Sequence, residues 1–270
     1  MELQNYLDNK KILQNNIIDF LDNEMNIEEN YQNLCMFFNK IKISENPNEL
    51  KLLLHLILKI SKDHQRTQYF FTKIEKILLY FKQDISRYFS DYLIFNIFRS
   101  NKRILLFLIE EKIITLDQNI VDTMAHPTYK NENYLHYFYP EIEQFINNEL
   151  KNQILEEINQ LNKDFEEKRK IGENDNYICK LIREDSIDDF ITYFNQNNWS
   201  INASIEMSFY ETNSYLYKIH PSLIEYSAFF GSVQIFKYLY KNGAELTNSV
   251  WIAAIHGRCP EIFSILEEET

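Results

Sequence analysis

Apolar side chains recur three and four residues apart along nearly the whole chain, which predicts helices rather than strands. Residues 3–22 carry such a stripe through Leu3, Tyr6, Leu7, Ile12 or Leu13, Ile17, Phe20 and Leu21, and residues 28–43 carry one through Leu34, Phe37, Phe38 and Ile41. Asn46-Pro47-Asn48-Glu49 then restarts the chain, with Asn46 as cap, Pro47 as first helical residue and Glu49 facing the N-terminal dipole. The helix that follows presents Leu50, Leu53, Leu54, Ile57 and Leu58; two more are expected at about 66–81 and 85–99. Residues 94–110 read as helix, polar break at Ser100-Asn101, helix. A short helix at 116–125 stops at His126-Pro127, a loop runs to about Asn131, and helix resumes from Tyr134 to Asn147 with a reset at Pro140.

From Glu149 to Ile171 the apolar stripe narrows to Leu150, Ile154, Leu155, Ile158, Leu161 and Phe165 inside a Glu/Lys-rich segment. That pattern predicts one long half-exposed helix, stopped at Gly172, linking a helical region 1–148 to a region 173–270.

The last region contains two segments that say nearly the same thing, Ser222–Tyr240 and Ser249–Glu267. Each has a short helix with a small pair near its end, Ser227-Ala228 and Ala253-Ala254, then a glycine, Gly231 and Gly257. Both glycines read as left-handed residues just past a helix end. A second helix follows, through Val233, Ile235, Phe236, Leu239 and Tyr240 in one copy and Ile262, Phe263, Ile265 and Leu266 in the other. Ser222 with Glu225 is a capping-box pattern, Pro221 predicts an extended His220, and Pro260 suits a first helical turn. Residues 178–194 resemble the same unit, with Asp185 at the glycine position and Ser186 and Asp189 capping the second helix.

The run Gly231-Ser-Val-Gln-Ile-Phe-Lys-Tyr-Leu-Tyr-Lys-Asn-Gly243-Ala-Glu, with Ala-Phe-Phe-Gly and Ala-Ile-His-Gly, resembles the helices and closing turn of an ankyrin repeat. The Ile- and Asn-rich wording is similar to the ankyrin-repeat families of trichomonad protists. Ankyrin repeats run about 33 residues, whereas these glycines are 26 apart. The shortfall lies between Gly243 and Ser249, where that family places a β-hairpin finger, so a plain helix-turn-helix joint is expected. The resemblance implies an all-α helical-repeat solenoid, ankyrin-like at the C-terminal end, with a diverged antiparallel helical N-terminal half. It implies a protein-binding scaffold or adaptor, with a self-assembling protein that associates through an uncapped terminal repeat as the alternative. By position in the family it marks Phe229, Phe230, Ile255 and His256 as facing the concave binding surface, and Trp251 as packing between neighbouring repeats. The long aromatic connection Asn195–His220 either carries function or folds back to cover the two phenylalanines.

Composition narrows the classes. Only 4 Gly and 5 Pro in 270 residues argue against a sheet-rich fold, and a net charge of −12 argues against nucleic acid as a partner. Three scattered cysteines, Cys35, Cys179 and Cys259, suit buried thiols rather than disulfides. The longest apolar run, Leu52–Ile60, is interrupted by His55 and Lys59 and falls short of the ~20 residues of a membrane span. With no signal-peptide pattern at the start, a cytoplasmic protein is expected, monomeric or weakly self-associating, with a protein partner and no cofactor. No histidine pair has zinc spacing, His126 and His136 flanking one loop being the nearest, and no phosphate loop or nucleophile motif occurs, so no enzyme is expected.

Overall fold

The computed structural model describes residues 2–64, 66, 69–126, 133–160 and 164–268, without the side chains of 2–7, 9, 159 and 160. The expected contributions of Leu3, Tyr6, Leu7 and Leu161, and the loop after His126, lie outside the described residues. Among the described residues every named element is a helix, and the nearest thing to a strand is the isolated bridge between Ser204 and Ser222. The chain divides into two compact units, one of Met1–Ser61 with Arg66–Ile120, the other of Lys62–Gln65 with Val121–Thr270.

The first unit is built from α1 (Glu2–Asp22), α2 (Ile27–Lys40), α3 (Pro47–Asp63), α4 (Phe70–Tyr80), α5 (Lys82–Tyr88), α6 (Asp91–Phe98) and α7 (Lys102–Glu110). The helix α1 packs on α2 and α4, and α4 in turn on α5 and α7. Leu13, Ile17, Phe38, Leu53, Ile77 and Phe81 are among the side chains withdrawn from solvent. Where one helix was expected over 85–99 there are two, because Ser90 is extended and its hydroxyl accepts from Leu93 N, starting a new helix. The break at Asn101 is as expected: its side chain caps α7 at Ile104 N (3.1 Å) and donates to Ser61 Oγ (3.0 Å). Lys73 is buried and its Nζ donates to the carbonyls of Leu21 and Asn23, both at 2.8 Å, closing the end of α1.

The division between units falls within α8 (Gln118–Met124). The second unit continues with α9 (Tyr134–Tyr137), α10 (Tyr139–Ile142), α11 (Asn148–Gln160) and α12 (Phe165–Ile171). Residues 134–147 thus form short pieces, Pro140 lying in the first turn of α10. The single helix expected over 149–171 is two helices, α11 and α12. Nor is its charged face all solvated. Arg169 is only 2% exposed. Its guanidinium spans Glu141 (2.6 and 2.8 Å), Glu166 (2.7 Å) and the Tyr137 carbonyl (2.9 Å). Tyr137 Oη returns a hydrogen bond to the Arg169 carbonyl at 2.5 Å. A buried guanidinium needs such a shell, because unpaired charge in a dry site costs several kcal/mol, roughly 3–5 when a partner is lost.

The remainder consists of α13 (Tyr177–Arg183), α14 (Ile187–Gln196), α15 (Ser214–Ile219), α16 (Leu223–Phe230), α17 (Val233–Lys241), α18 (Asn248–Gly257) and α19 (Pro260–Glu268). Three helix couples, α13/α14, α16/α17 and α18/α19, pack in sequence. Their first helices form one row, α13 against α16 against α18, and their second helices another, α14 against α17 against α19. One continuous core runs through both rows, with Ile182, Phe190, Leu223, Ile235, Val250 and Ile262 among its members.

Each couple turns through a left-handed residue: Asp185 (φ 49°), Gly231 (φ 69°) and Arg258 (φ 49°). Gly257 was expected in that role and is not; it is the last residue of α18. It is glycine because α18 lies against α16 there: a Cβ on Gly257 would sit 2.0 Å from the Ala228 carbonyl oxygen. With Arg258 matched to Gly231 the two copies run 27 residues apart without an insertion, and Ile235-Phe236 falls on Ile262-Phe263. The joint between α17 and α18 is the short stretch Asn242–Thr247.

Candidate functional site

The Ser222–Glu225 capping box forms as its sequence implies: Ser222 Oγ accepts from Glu225 N, and Glu225 Oε2 accepts from Ser222 N at 2.7 Å. Glu225 then reaches the next couple, where its Oε1 accepts from Thr247 Oγ1 (3.2 Å) and from Ser249 Oγ. Burial pushes this carboxyl's pKa up, but the hydrogen bonds from Ser249, Ser222 and Thr247 outweigh it and hold the pKa below the ordinary carboxylate value. One carboxylate therefore ties the starts of α16 and α18 together.

Asp185 performs the matching task one couple earlier. Its carboxylate accepts from Gln234 N (3.1 Å) and Ile235 N (3.0 Å), capping α17 from the preceding turn. Ser232 Oγ, beside it, donates to the Ile182 carbonyl at 2.5 Å. Gly231 has no side chain to offer α19, and α19 opens with Pro260, which has no N–H to satisfy. Ser186, expected to cap α14, makes no such bond.

The connection between α14 and α15 is packed, with a polar layer beneath it. Ile205 N donates to the Pro221 carbonyl (2.8 Å) and Leu223 N to the Ala203 carbonyl (3.0 Å). Glu211 is buried and accepts from Asn174 N (3.2 Å) and Asn213 N (2.7 Å). Arg183 bonds Glu173 (2.8 Å), the Asn174 carbonyl (2.9 Å) and Tyr226 Oη (2.9 Å). Burial raises the Tyr226 phenol well above its ordinary pKa and the adjacent Cys179 thiol to about 12. A cavity of about 10 Å³, room for one water, lies between Asn174, Glu211, Leu216 and Tyr226. His220, expected to be extended before Pro221, is left-handed instead (φ 47°, ψ 65°), closing α15. That conformation is unfavourable for a non-glycine residue, doubly so ahead of proline.

The four residues marked by sequence fall into different environments. Ile255 is 61% exposed. Phe230 is half-buried against Tyr226 and Phe229. Phe229 is 2% exposed, because Tyr215 of α15 stacks on it (5.7 Å, 13°). His256 completes a three-ring cluster with Tyr215 (4.9 Å) and Phe229 (5.0 Å). The Tyr215 hydroxyl is buried without a hydrogen-bond partner among the described residues, and burial raises its pKa. The Trp251 ring, expected to pack between couples, lies 6.4 Å from that of Phe263 of α19. Opposite the face that α18 turns to α16 stand Ile252 (50% exposed) and Ile255.

Among the described residues no three His, Cys, Asp or Glu side chains gather as metal ligands. His136 instead faces Glu157, Nε2 to Oε2 2.7 Å. No described helix is long and apolar enough to cross a membrane. Compared with protein-family models, curated proteins and solved structures, the chain matches none.

Proposed function

We propose that this chain is a protein-interaction scaffold whose C-terminal part is an ankyrin-like helical-repeat solenoid lacking fingers. The observation that supports this reading is the order of the three couples, each burying its apolar side against the next while α18 keeps two isoleucines in solvent. Repeat arrays of this kind stabilise themselves through neighbours and bind through the surface the rows present. Recognition is assigned to Ile255, Phe230 and His256, with a protein partner. A photo-crosslinking residue at position 255, compared with one at exposed Gln234 on α17, tests it in the organism's own extract. The reading expects an adduct specific to position 255 that Phe230→Ala or His256→Ala weakens. Identical adducts at both positions contradict it.

Ile252 and Ile255 also support a second reading, in which the α18 face stacks on another copy. Light scattering at two concentrations separates the readings, since only the second expects mass to rise with concentration and Ile252→Glu to abolish the rise.

A further inference from the structure

We propose that α15 is a strap over the recognition surface, held shut by Tyr215 and opening locally to expose Phe229 and His256. The inference rests on the scaffold reading for its purpose, but not for its geometry.

The strap is tied at both ends and loosely held between them. At its start Asn213 is buried, and its side chain caps Tyr215 N (2.9 Å). Thr212 Oγ1 anchors to the Gly172 carbonyl (2.7 Å). At its far end Pro221 and Ser222 are pinned by the bridge to Ala203–Ile205. Between these anchors α15 has six residues, and of its side chains only Leu216 is buried outright. Lys218, Ile219 and His220 point to solvent. Six helical residues are far too few to hold a helix by themselves, so side-chain contacts, those of Tyr215 and Leu216 foremost, decide whether it stays.

The latch is imperfect in two ways. The Tyr215 ring gains stacking against Phe229 and His256, but its hydroxyl is desolvated with no hydrogen-bond partner among the described residues. The exit residue, His220, holds a left-handed backbone in front of a proline, a conformation released when the strap lifts. Opening would expose Phe229 and His256 beside Phe230, which already packs on Phe229. The place vacated by Tyr215 is faced by the Phe229 and His256 rings, and it fits an aromatic side chain of a partner peptide.

Native-state hydrogen exchange on the intact chain, read at single residues, tests the strap without any partner. The expected result is that amides 217–219 exchange about 100-fold faster than the core amides of α16 and α18, independently of low denaturant. Tyr215→Phe, which removes the unmade hydrogen bond and keeps the ring, should slow that exchange several-fold. Tyr215→Ala should remove protection from 217–219, leave α16 and α18 amides at their wild-type rates, and shift the His256 ring resonances. The proposal is overturned if 217–219 exchange only with the core, if Tyr215→Phe leaves their rate unchanged or higher, or if Tyr215→Ala accelerates α16 and α18 equally, as a plain core strut would. These outcomes concern the free protein. An absent adduct at position 255 would sink the scaffold reading and leave the strap standing.

Discussion

Gly257 lies so close to Ala228 that a Cβ built on it would stand 2.0 Å from the Ala228 carbonyl oxygen and 3.1 Å from Gly231 N. Both obstacles are backbone, so no rotamer change relieves the clash. The approach of α18 to α16 through Val250, Ala253, Ala254 and Gly257 fixes the spacing of the last two couples. Gly257→Ala should cost about 3 kcal/mol or displace α18, the scale of overpacking in a close-packed contact. Gly231→Ala, a backbone-strain change at φ 69°, should cost only about 1 kcal/mol. Urea unfolding of the two variants gives the comparison; equal losses would contradict the assignment of different roles.

Tyr137 and Arg169 each donate a side-chain hydrogen bond to the other's backbone carbonyl, at 2.5 and 2.9 Å. Arg169→Ala strands Glu141 beside a cavity and should cost about 3 kcal/mol or more. Arg169→Lys should recover little, since an ammonium cannot reproduce the paired contact with Glu141. A double-mutant cycle with Tyr137→Phe, read by thermal unfolding, should show coupling above about 0.5 kcal/mol.

Glu225 links stability to acid. Its folded pKa is lowered from the ordinary carboxylate value, so the stability it contributes is present above that ordinary value and is lost as pH falls through the folded pKa. Because the group is partly solvent-facing, its share is modest. Unfolding free energies from pH 6 down to pH 3 should fall less steeply for Glu225→Gln than for the wild type. Parallel profiles would mean that the clasp between Ser222 and Ser249 carries no charge-dependent stability.

The three thiols should separate by rate. Cys179 is fully buried and its pKa is raised to about 12, whereas Cys259 is half-exposed. At pH 8 a thiol-specific disulfide reagent should modify Cys259 first, Cys35 slowly, and Cys179 only on unfolding. Rapid modification of Cys179 in the native protein would show that the layer beneath the connection is open.

Much of the helical grammar was readable: the Ser222–Glu225 box, Pro260 in a first turn, and the absence of room for a finger between Gly243 and Ser249. What escaped reading depended on partners far along the chain. Arg169 sits in a Glu/Lys-rich run that looks solvated, and Tyr137 and Glu141, which bury it, are 32 and 28 residues away. Asp185 looked like a degraded glycine, yet its carboxylate caps a helix that begins nearly 50 residues later. A glycine at a helix end reads alike whether it serves a left-handed turn or a close approach, and Gly257 serves the second. Among the marked residues, Phe229 is covered by Tyr215, the fold-back of the aromatic connection that the sequence offered as one of two alternatives. The Ser90 cap carried a local signal, a Ser-Asp pair ahead of an apolar run, that marks the start of α6.

The ordered stacking of couples is tested most directly by distances across the second-helix row. Spin labels at exposed Asp188, Gln234 and Glu261 report α14, α17 and α19 in turn. With neighbouring axes about 10 Å apart, the account predicts Asp188–Gln234 and Gln234–Glu261 as short separations and Asp188–Glu261 as about twice either. A Asp188–Glu261 distance as short as the other two would mean that the three helices cluster around one another, and the row does not exist.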